Sequence, residues 1–359
     1  MPDPRYYGLI LAGGRGTRFW PRSRKRHAKQ VLNVTGDRTL IQQTVERLAP
    51  LIPPERIWVL TNEHVRSEIV RQLPGVPAKQ IIAEPAQRNT APAIGLMATI
   101  LQSVDPDSVF GVFPSDHVIG KQKKFLKFVS AAFRAARKDQ IAVLGVFPRY
   151  AETGFGYIEF PRGVKAGATK VLPVTSFTEK PEQQEADRML KKGNYYWNAG
   201  MFFSRPVVML DAIRLHLPKT ATMLSSLPKF GSPRFKKALA DAFPLCDDIS
   251  IDFGVMQRAG NRRGIACDDY GWSDVGNWKA VFELMELDKH GNAARSQYLP
   301  IDSAGNYIDC GKKMVALVGV SNMIVVDTPD ALLIVDRERA QDVGKIVQML
   351  EARRHDHLL

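Results

Sequence analysis

The sequence predicts an α/β protein, a doubly wound, mostly parallel sheet followed by a small C-terminal β domain. Through the first half, short apolar runs alternate with amphipathic stretches of helical period, as a parallel sheet covered on both faces requires. Beyond residue 289 the texture changes to short apolar runs divided by turn signals. At 359 residues the chain exceeds one ordinary domain. Two are expected: residues 1–289, carrying an insertion over 150–205, and residues 290–359.

Residues 7–12 form an apolar run ending in glycines and read as a buried strand. Over 39–48, Leu40, Ile41, Thr44, Val45 and Leu48 share one helical face. Strands are then expected at 57–60, 109–113 and 141–146, and helices at 63–73, 91–104 and 125–137. The span 150–205 is richer in Gly, Tyr, Thr and Pro and reads as irregular strands at the sheet's rim. Helical patterns resume over 206–287. Runs at 314–318, 323–326 and 331–335, separated by turn residues, read as the β domain, closed by a helix over 337–352.

The composition, 45% hydrophobic and 24% charged, is that of a well-cored globular protein. No uninterrupted apolar run reaches the roughly 18 residues of a membrane helix, and the N-terminus lacks a signal-peptide pattern. Cys246, Cys267 and Cys310 lie far apart without a Cys-x-x-Cys pair, which argues against disulfides and zinc and for a cytoplasmic address. The net charge of +13 raises the question of nucleic acid. The cationic runs at 22–26 and 121–124 are not interleaved with aromatics, and no nucleic-acid signature accompanies them. Neither nucleic acid nor membrane is expected as a partner; the cations suit small molecules bearing phosphate.

The chemistry starts at Gly13-Gly14-Arg15-Gly16-Thr17-Arg18, just after the first strand. Its glycines let backbone N–H groups converge on an anion, and Arg15 and Arg18 add bidentate donors. No Gly-Lys-Ser/Thr follows, so this is not a Walker loop. Counting from Gly14, Phe19 occupies the last glycine position of the dinucleotide fingerprint, which disfavours an oxidoreductase.

The string from Leu9 to Arg24, with Ala28-Lys29-Gln30, resembles the signature of nucleoside-diphosphate-sugar pyrophosphorylases. The segment Glu84-Pro85 to Ala91-Pro92 resembles the one that distinguishes the bacterial mannose-1-phosphate guanylyltransferases. Phe113 to His117, Thr153 to Ile158, Phe177 to Pro181, Trp197 to Phe202, Ser250 to Phe253 and Trp272 to Trp278 continue the pattern in order. The resemblance implies a Rossmann-like nucleotidyltransferase fold, GTP and mannose 1-phosphate as substrates, GDP-mannose and pyrophosphate as products, and Mg²⁺ as cofactor. The sugar phosphate, already ionised, attacks the α-phosphorus in line with the departing pyrophosphate. Positioning and positive charge must overcome the repulsion between two polyanions.

The same resemblance assigns roles. Asp116 and Asp274 become metal ligands, although alone each also reads as a turn or helix cap. Arg18 and Lys29 hold the triphosphate, and Lys180 takes the sugar phosphate. Gly156, Glu179 and Asn198 belong with the sugar. The nucleotide lies against Leu11, Ala12, Gly13, Gly14, Gly16 and Thr17, and against Glu84, Arg88, Asn89 and Ala91. Glu84 is the candidate acceptor for guanine's N1–H and N2–H₂, with a salt bridge as the alternative reading. Arg88-Asn89-Thr90 reads alternatively as a helix start. His117 is expected as a structural hydrogen-bonder. Phe19 stands where leucine is common, and Ala28 where proline usually precedes the lysine. The competing readings are another hexose phosphate or nucleotide, and a regulatory nucleotide-sugar-binding subunit without activity. The chain stops at Leu359 without the isomerase domain of longer relatives, so one activity is expected. Exposed β edges near the C-terminus allow a homodimer.

Overall fold

The structure, a computed structural model, describes residues 3–359. The chain begins with β1 (Tyr6–Ala12) and α1 (Leu40–Leu48), the helix started by a capping box between Thr39 and Gln42. There follow β2 (Ile57–Thr61), α2 (Glu63–Gln72), β3 (Ile81–Ala83), α3 (Thr90–Val104), β4 (Val109–Pro114), the short β5 (Val118–Ile119), α4 (Gln122–Ala136) and β6 (Ile141–Val146). Next come β7 (Tyr157–Glu159), β8 (Val171–Pro173), β9 (Ser176–Thr178), α5 (Gln183–Lys192) and β10 (Tyr195–Ser204). The first domain closes with α6 (Pro206–His216), α7 (Pro218–Ser225), α8 (Phe235–Ala242), β11 (Arg262–Cys267), β12 (Trp272–Ser273) and α9 (Trp278–Phe282).

The main sheet runs β3-β2-β1-β4-β10-β6-β11-β8. β1 pairs in parallel with β2 and β4, and β6 with β11. One core packs α1, α2 and α4 on one face through residues such as Ile41, Ile69 and Phe128, meeting Ile10 and Val59. The other packs α3 and α6 on the opposite face, Ile94 and Met209 lying with Leu9 and Leu60. Both faces are covered, which is why these strands read as continuous apolar runs. Leu11 stands beside Pro114, so the carboxyl ends of β1 and β4 open at one rim, where such sheets take their ligands.

Three elements differ from the sequence expectation. Residues 195–204 form not a rim strand but the central β10, antiparallel between β4 and β6. Tyr196, Trp197, Phe202 and Phe203 are buried, and the polar break at 198–200 is a bulge rather than a strand end. β11 lies inside the span expected to be helical; its Arg262-Arg263-Gly264 start conceals a strand whose last four residues are buried. α5 was hidden by its polarity, since only Ala186 and Met189 are buried.

The C-terminal region contains β13 (Ala293–Ala294), β14 (Tyr298–Ile301), β15 (Tyr307–Asp309), β16 (Val315–Val318), β17 (Met323–Thr328) and β18 (Ala331–Asp336). β13, β15 and β17 stack in parallel, as do β14 and β16, so the chain winds as a small β-coil. Buried Asn292 and Asn306 bridge its turns: Asn306 donates its amide to Asn292 Oδ1 at 3.0 Å and accepts from the Met323 N–H at 2.9 Å. The closing helix is split into a 3₁₀ segment, Arg337–Asp342, and α10 (Val343–Ala352). This region shares a core with the first domain: Phe19, Trp20, Val275 and Trp278 pack with Tyr307, Ile324, Val326, Val343 and Val347. Among the described residues, no helix is long and apolar enough to cross a membrane, and the three cysteines are unpaired and buried.

Candidate active site

Two strand ends and one small ribbon assemble the centre. β4 delivers Ser115 and Asp116 beside the loop after β1, and the Ser115 N–H donates to Leu11 O at 3.1 Å. β5 and β12 pair antiparallel, Ser273 opposite Val118, and this ribbon carries Asp274 to Asp116. Lys29 Nζ lies between them, donating to Asp116 Oδ2 and to the Asp274 carbonyl, each at 2.8 Å. Its ammonium also stands 5.2 Å from the Phe19 ring centroid, a support that leucine at this position would not give.

The two carboxyls are shifted in opposite directions. Burial pushes Asp116 up, but the surrounding positive charge, led by the Lys29 ammonium, and the hydrogen bonds to the carboxylate together hold it below its ordinary value. Burial raises Asp274; the Lys29 ammonium pulls it partly back, and the facing Asp116 adds to the rise. Val275, next in sequence, is fully buried at φ 45°, a conformation rare for a β-branched residue, with its N–H donating to Ser273 Oγ at 3.1 Å. Behind Asp116, Trp272 Nε1 donates to His117 Nδ1 at 3.2 Å, and buried Arg47 donates to the His117 carbonyl at 2.9 Å. Burial pushes the His117 imidazole down to about 4, so it stands neutral as an acceptor.

The loop shapes a cavity of 650 Å³, the size of a nucleotide-scale ligand site. Leu11, Gly13, Gly14, Gly16, Lys29, Glu84, Asn89 and Asp116 line it. Gly16 sits at φ 64°, and a Cβ there would lie 2.5 Å from Lys29 Cβ; Gly14 faces open space. Glu84 has no ion pair among the described residues, and burial pushes its carboxyl up to about 8. A Cβ at Gly13 would stand 3.4 Å from Glu84 Oε2. Asn89 caps α3, its Oδ1 accepting from the Thr90 N–H at 2.9 Å, so this segment is indeed a helix start that opens into the cavity.

Ala12, Thr17, Arg88 and Ala91 are not on the wall. Ala12 is buried, its carbonyl accepting from Gln30 Nε2 at 2.7 Å and Thr61 Oγ1 at 2.9 Å. Ala91 is buried with its N–H on Ile249 O. Arg88 Nε is buried without a hydrogen-bond partner among the described residues. Arg18 lies at the loop's far end, beside Asp274 and the C-terminal region.

A second cavity of 630 Å³ adjoins the first, with Asn89, Thr90, Asp248 and Asp252 lining both. Glu179 and Lys180 line its outer part. The β10 bulge aims Asn198 inward: its amide donates to Asp252 Oδ1 at 2.8 Å, and its Oδ1 accepts from the Gly200 N–H at 3.0 Å. Gly156 leaves room for the Glu179 carboxylate, whose Oε2 is buried without a hydrogen-bond partner among the described residues. Burial, and then Asp252, push Glu179 up to about 7. Lys180, at φ 47°, is exposed with Nζ 4.0 Å from Glu179 Oε1. Asp248, Asp252 and Gln30 carry no role in the sequence reading; for Asp252 the only signal is a carboxylate inside Ser250 to Phe253.

The model of the family described as "Nucleotidyl transferase" matches residues 7–291.

The chain belongs to the nucleotidyl transferase family.

A second model, "MannoseP isomerase/GMP-like beta-helix domain", matches residues 296–350, the β-coil of this nucleotidyltransferase. Mannose-1-phosphate guanylyltransferase of Salmonella muenchen is 36% identical, over 97% of this chain and 74% of its own length. Mannose-1-phosphate guanylyltransferase 2 of Escherichia coli O157:H7 is 34% identical, over 98% and 74%. Among solved structures, one described as mannose-1-phosphate geranyltransferase from Thermus thermophilus superposes with a TM-score of 0.86 at 31% identity, covering 97% of this chain and 99% of that one.

Proposed function

We propose that this nucleotidyltransferase moves a guanylyl group from GTP to mannose 1-phosphate, releasing pyrophosphate and GDP-mannose. The observation that carries the reading is Lys29 bridging Asp116 and the Asp274 main chain at the mouth of the glycine loop. The relatives' names supply the substrates.

Asp116 and Asp274 would suit Mg²⁺: two facing carboxylates whose mutual repulsion a cation relieves, with the remaining coordination positions open to phosphate and water. When bound, Mg²⁺ would neutralise charge on the triphosphate oxygens. The chain's own groups do the rest. Backbone N–H groups at Gly13 and Gly14 face the phosphates; Lys29 and Arg18 balance charge gathering on the leaving pyrophosphate. Asn89 lines both cavities and Lys180 the second, where a sugar phosphate would approach, and Glu179, Asn198 and Asp252 offer acceptors and a donor to sugar hydroxyls. No side chain need remove a proton, because the attacking phosphate oxygen is already ionised. The unpaired cysteines fit a reducing, cytoplasmic setting.

The test is pyrophosphate release over a grid of nucleoside triphosphates and hexose 1-phosphates, with and without Mg²⁺. Release is expected with GTP and mannose 1-phosphate. No release from any pairing would sink the enzymatic reading and favour a sensing subunit; preference for another nucleotide would overturn the guanine assignment alone.

A further inference from the structure

We infer that the C-terminal β-coil completes the phosphate cradle, with Gln341 as the positioning residue that aims Arg18. The inference rests on the reading above that Arg18 meets the triphosphate.

Arg18 is exposed, and its guanidinium is free to sweep solvent unless something holds it. Its Nη1 donates to Gln341 Oε1 at 2.9 Å, from the 3₁₀ segment before α10. A side chain at Gly344 would stand 3.6 Å from Arg18 Cγ, so the start of α10 lies against the arginine's stem. On the other side, a Cβ at Gly276 would lie 3.7 Å from Arg18 Nη1 and 3.0 Å from Asp274 Oδ2. The guanidinium therefore sits between the β-coil's closing segment and the Asp274 loop. Gln341 occupies one of its five donors and leaves the others for an anion.

The neighbouring contacts converge on the same loop. Arg15 Nη2 meets Glu351 Oε1 of α10 at 2.6 Å, Arg24 meets Asp330 at 2.9 Å, and Trp20 Nε1 donates to Leu358 O at 3.0 Å. Beneath them, Phe19 and Val275, the residues after Arg18 and Asp274, share a core with Ile324, Val343 and Val347. The backs of both loops are thus built on the β-coil. A neutral amide suits the positioning role: it accepts from the guanidinium without neutralising the charge that phosphate needs, whereas a carboxylate would compete.

The experiment is a double-mutant cycle on the full chain: wild type, Gln341→Ala, Arg18→Ala and both together. It is read by kcat/KM for GTP and by calorimetric affinity for inorganic tripolyphosphate, which needs no turnover. Gln341→Ala is expected to lower both by roughly three- to tenfold, with an unchanged melting temperature because the side chain is exposed. The loss should vanish in the Arg18→Ala background. Wild-type values for Gln341→Ala, or an equal loss with and without Arg18, would overturn the inference. Absence of turnover in the wild type, with the tripolyphosphate cycle intact, would instead strike the proposed function alone.

Discussion

Lys29 Nζ lies 2.8 Å from Asp116 Oδ2, with the lysine side chain 6% exposed and that of Asp116 35%. A desolvated ammonium so placed serves two ends: it fixes the carboxylate, and it offers charge to an incoming phosphate. Lys29→Met should lower turnover by about 10²–10³. It should destabilise the fold by only about 1–3 kcal/mol, because the partly exposed Asp116 can rehydrate once unpaired. Pyrophosphate release and urea unfolding separate the two effects. A Met variant that turns over at the wild-type rate would remove Lys29 from the cradle.

Glu84 gives a pH signature. Its carboxyl, pushed by burial to about 8 in the fold, releases its proton near 4.5 when unfolded. Between those values the folded state binds more protons, so this group's stabilising contribution is present at low pH and fades as pH rises to about 8. Glu84→Gln should therefore gain melting temperature over wild type as pH climbs from 5 to 8.5. An ionised Glu84 is what guanine's N1–H and N2–H₂ would meet, so wild-type GTP affinity should tighten toward pH 8 more steeply than the variant's, which keeps only the dependence of the terminal phosphate, titrating at about 6. Equal pH slopes for both proteins would dismiss Glu84 as the base-reading group.

How much of this was legible in the sequence follows physical lines. Strands β1, β2, β4 and β6 announced themselves because both faces are buried and turn residues bound them. β10 did not, since its bulge places Asn198 and Gly200 in mid-strand, the local signature of a loop. Lys29, Glu84, Asp116, Glu179 and Lys180, which line the two cavities, lie within the sequence motifs. The β5–β12 ribbon that unites Asp116 with Asp274 is two residues long on each side, too short to leave any periodicity. Asp252 was missed for a different reason: it reaches the second cavity from a π-helical turn, and its partner Asn198 comes from a strand read as irregular.

Glu179 Oε2 is buried without a partner among the described residues, while the neighbouring Asp252 is satisfied by Asn198. Burial and Asp252 together hold Glu179 at about 7, so near neutrality it is only partly ionised. Sugar hydroxyls donate better to the carboxylate, hence KM for the sugar phosphate should fall as pH rises from 6 to 8. The substrate phosphate itself titrates near about 6, so Glu179→Gln supplies the control. The variant should show a higher KM at pH 8 and keep only the substrate's own, more acidic dependence, with KM for GTP unchanged. Parallel pH profiles for the two proteins would remove Glu179 from the sugar subsite.

Gly14 and Gly16 make the sharpest contrast, because one loop needs glycine at each for a different reason. At Gly16 the backbone is left-handed, φ 64°, and an added Cβ would press 2.5 Å from Lys29 Cβ. Gly16→Ala thus combines conformational strain with displacement of the ammonium from Asp116. It should destabilise the protein by about 1–3 kcal/mol and reduce kcat by at least about tenfold. At Gly14 nothing lies within 4 Å of the added methyl. Gly14→Ala should therefore keep the wild-type melting temperature, yet raise KM for the nucleotide several-fold by holding phosphate away from the backbone N–H groups. Thermal melts and nucleotide titrations of the two variants decide the matter. If Gly14→Ala binds nucleotide normally, the phosphates do not pack on that stretch of backbone; if Gly16→Ala is as stable and active as wild type, Lys29 is not held by the loop's shape.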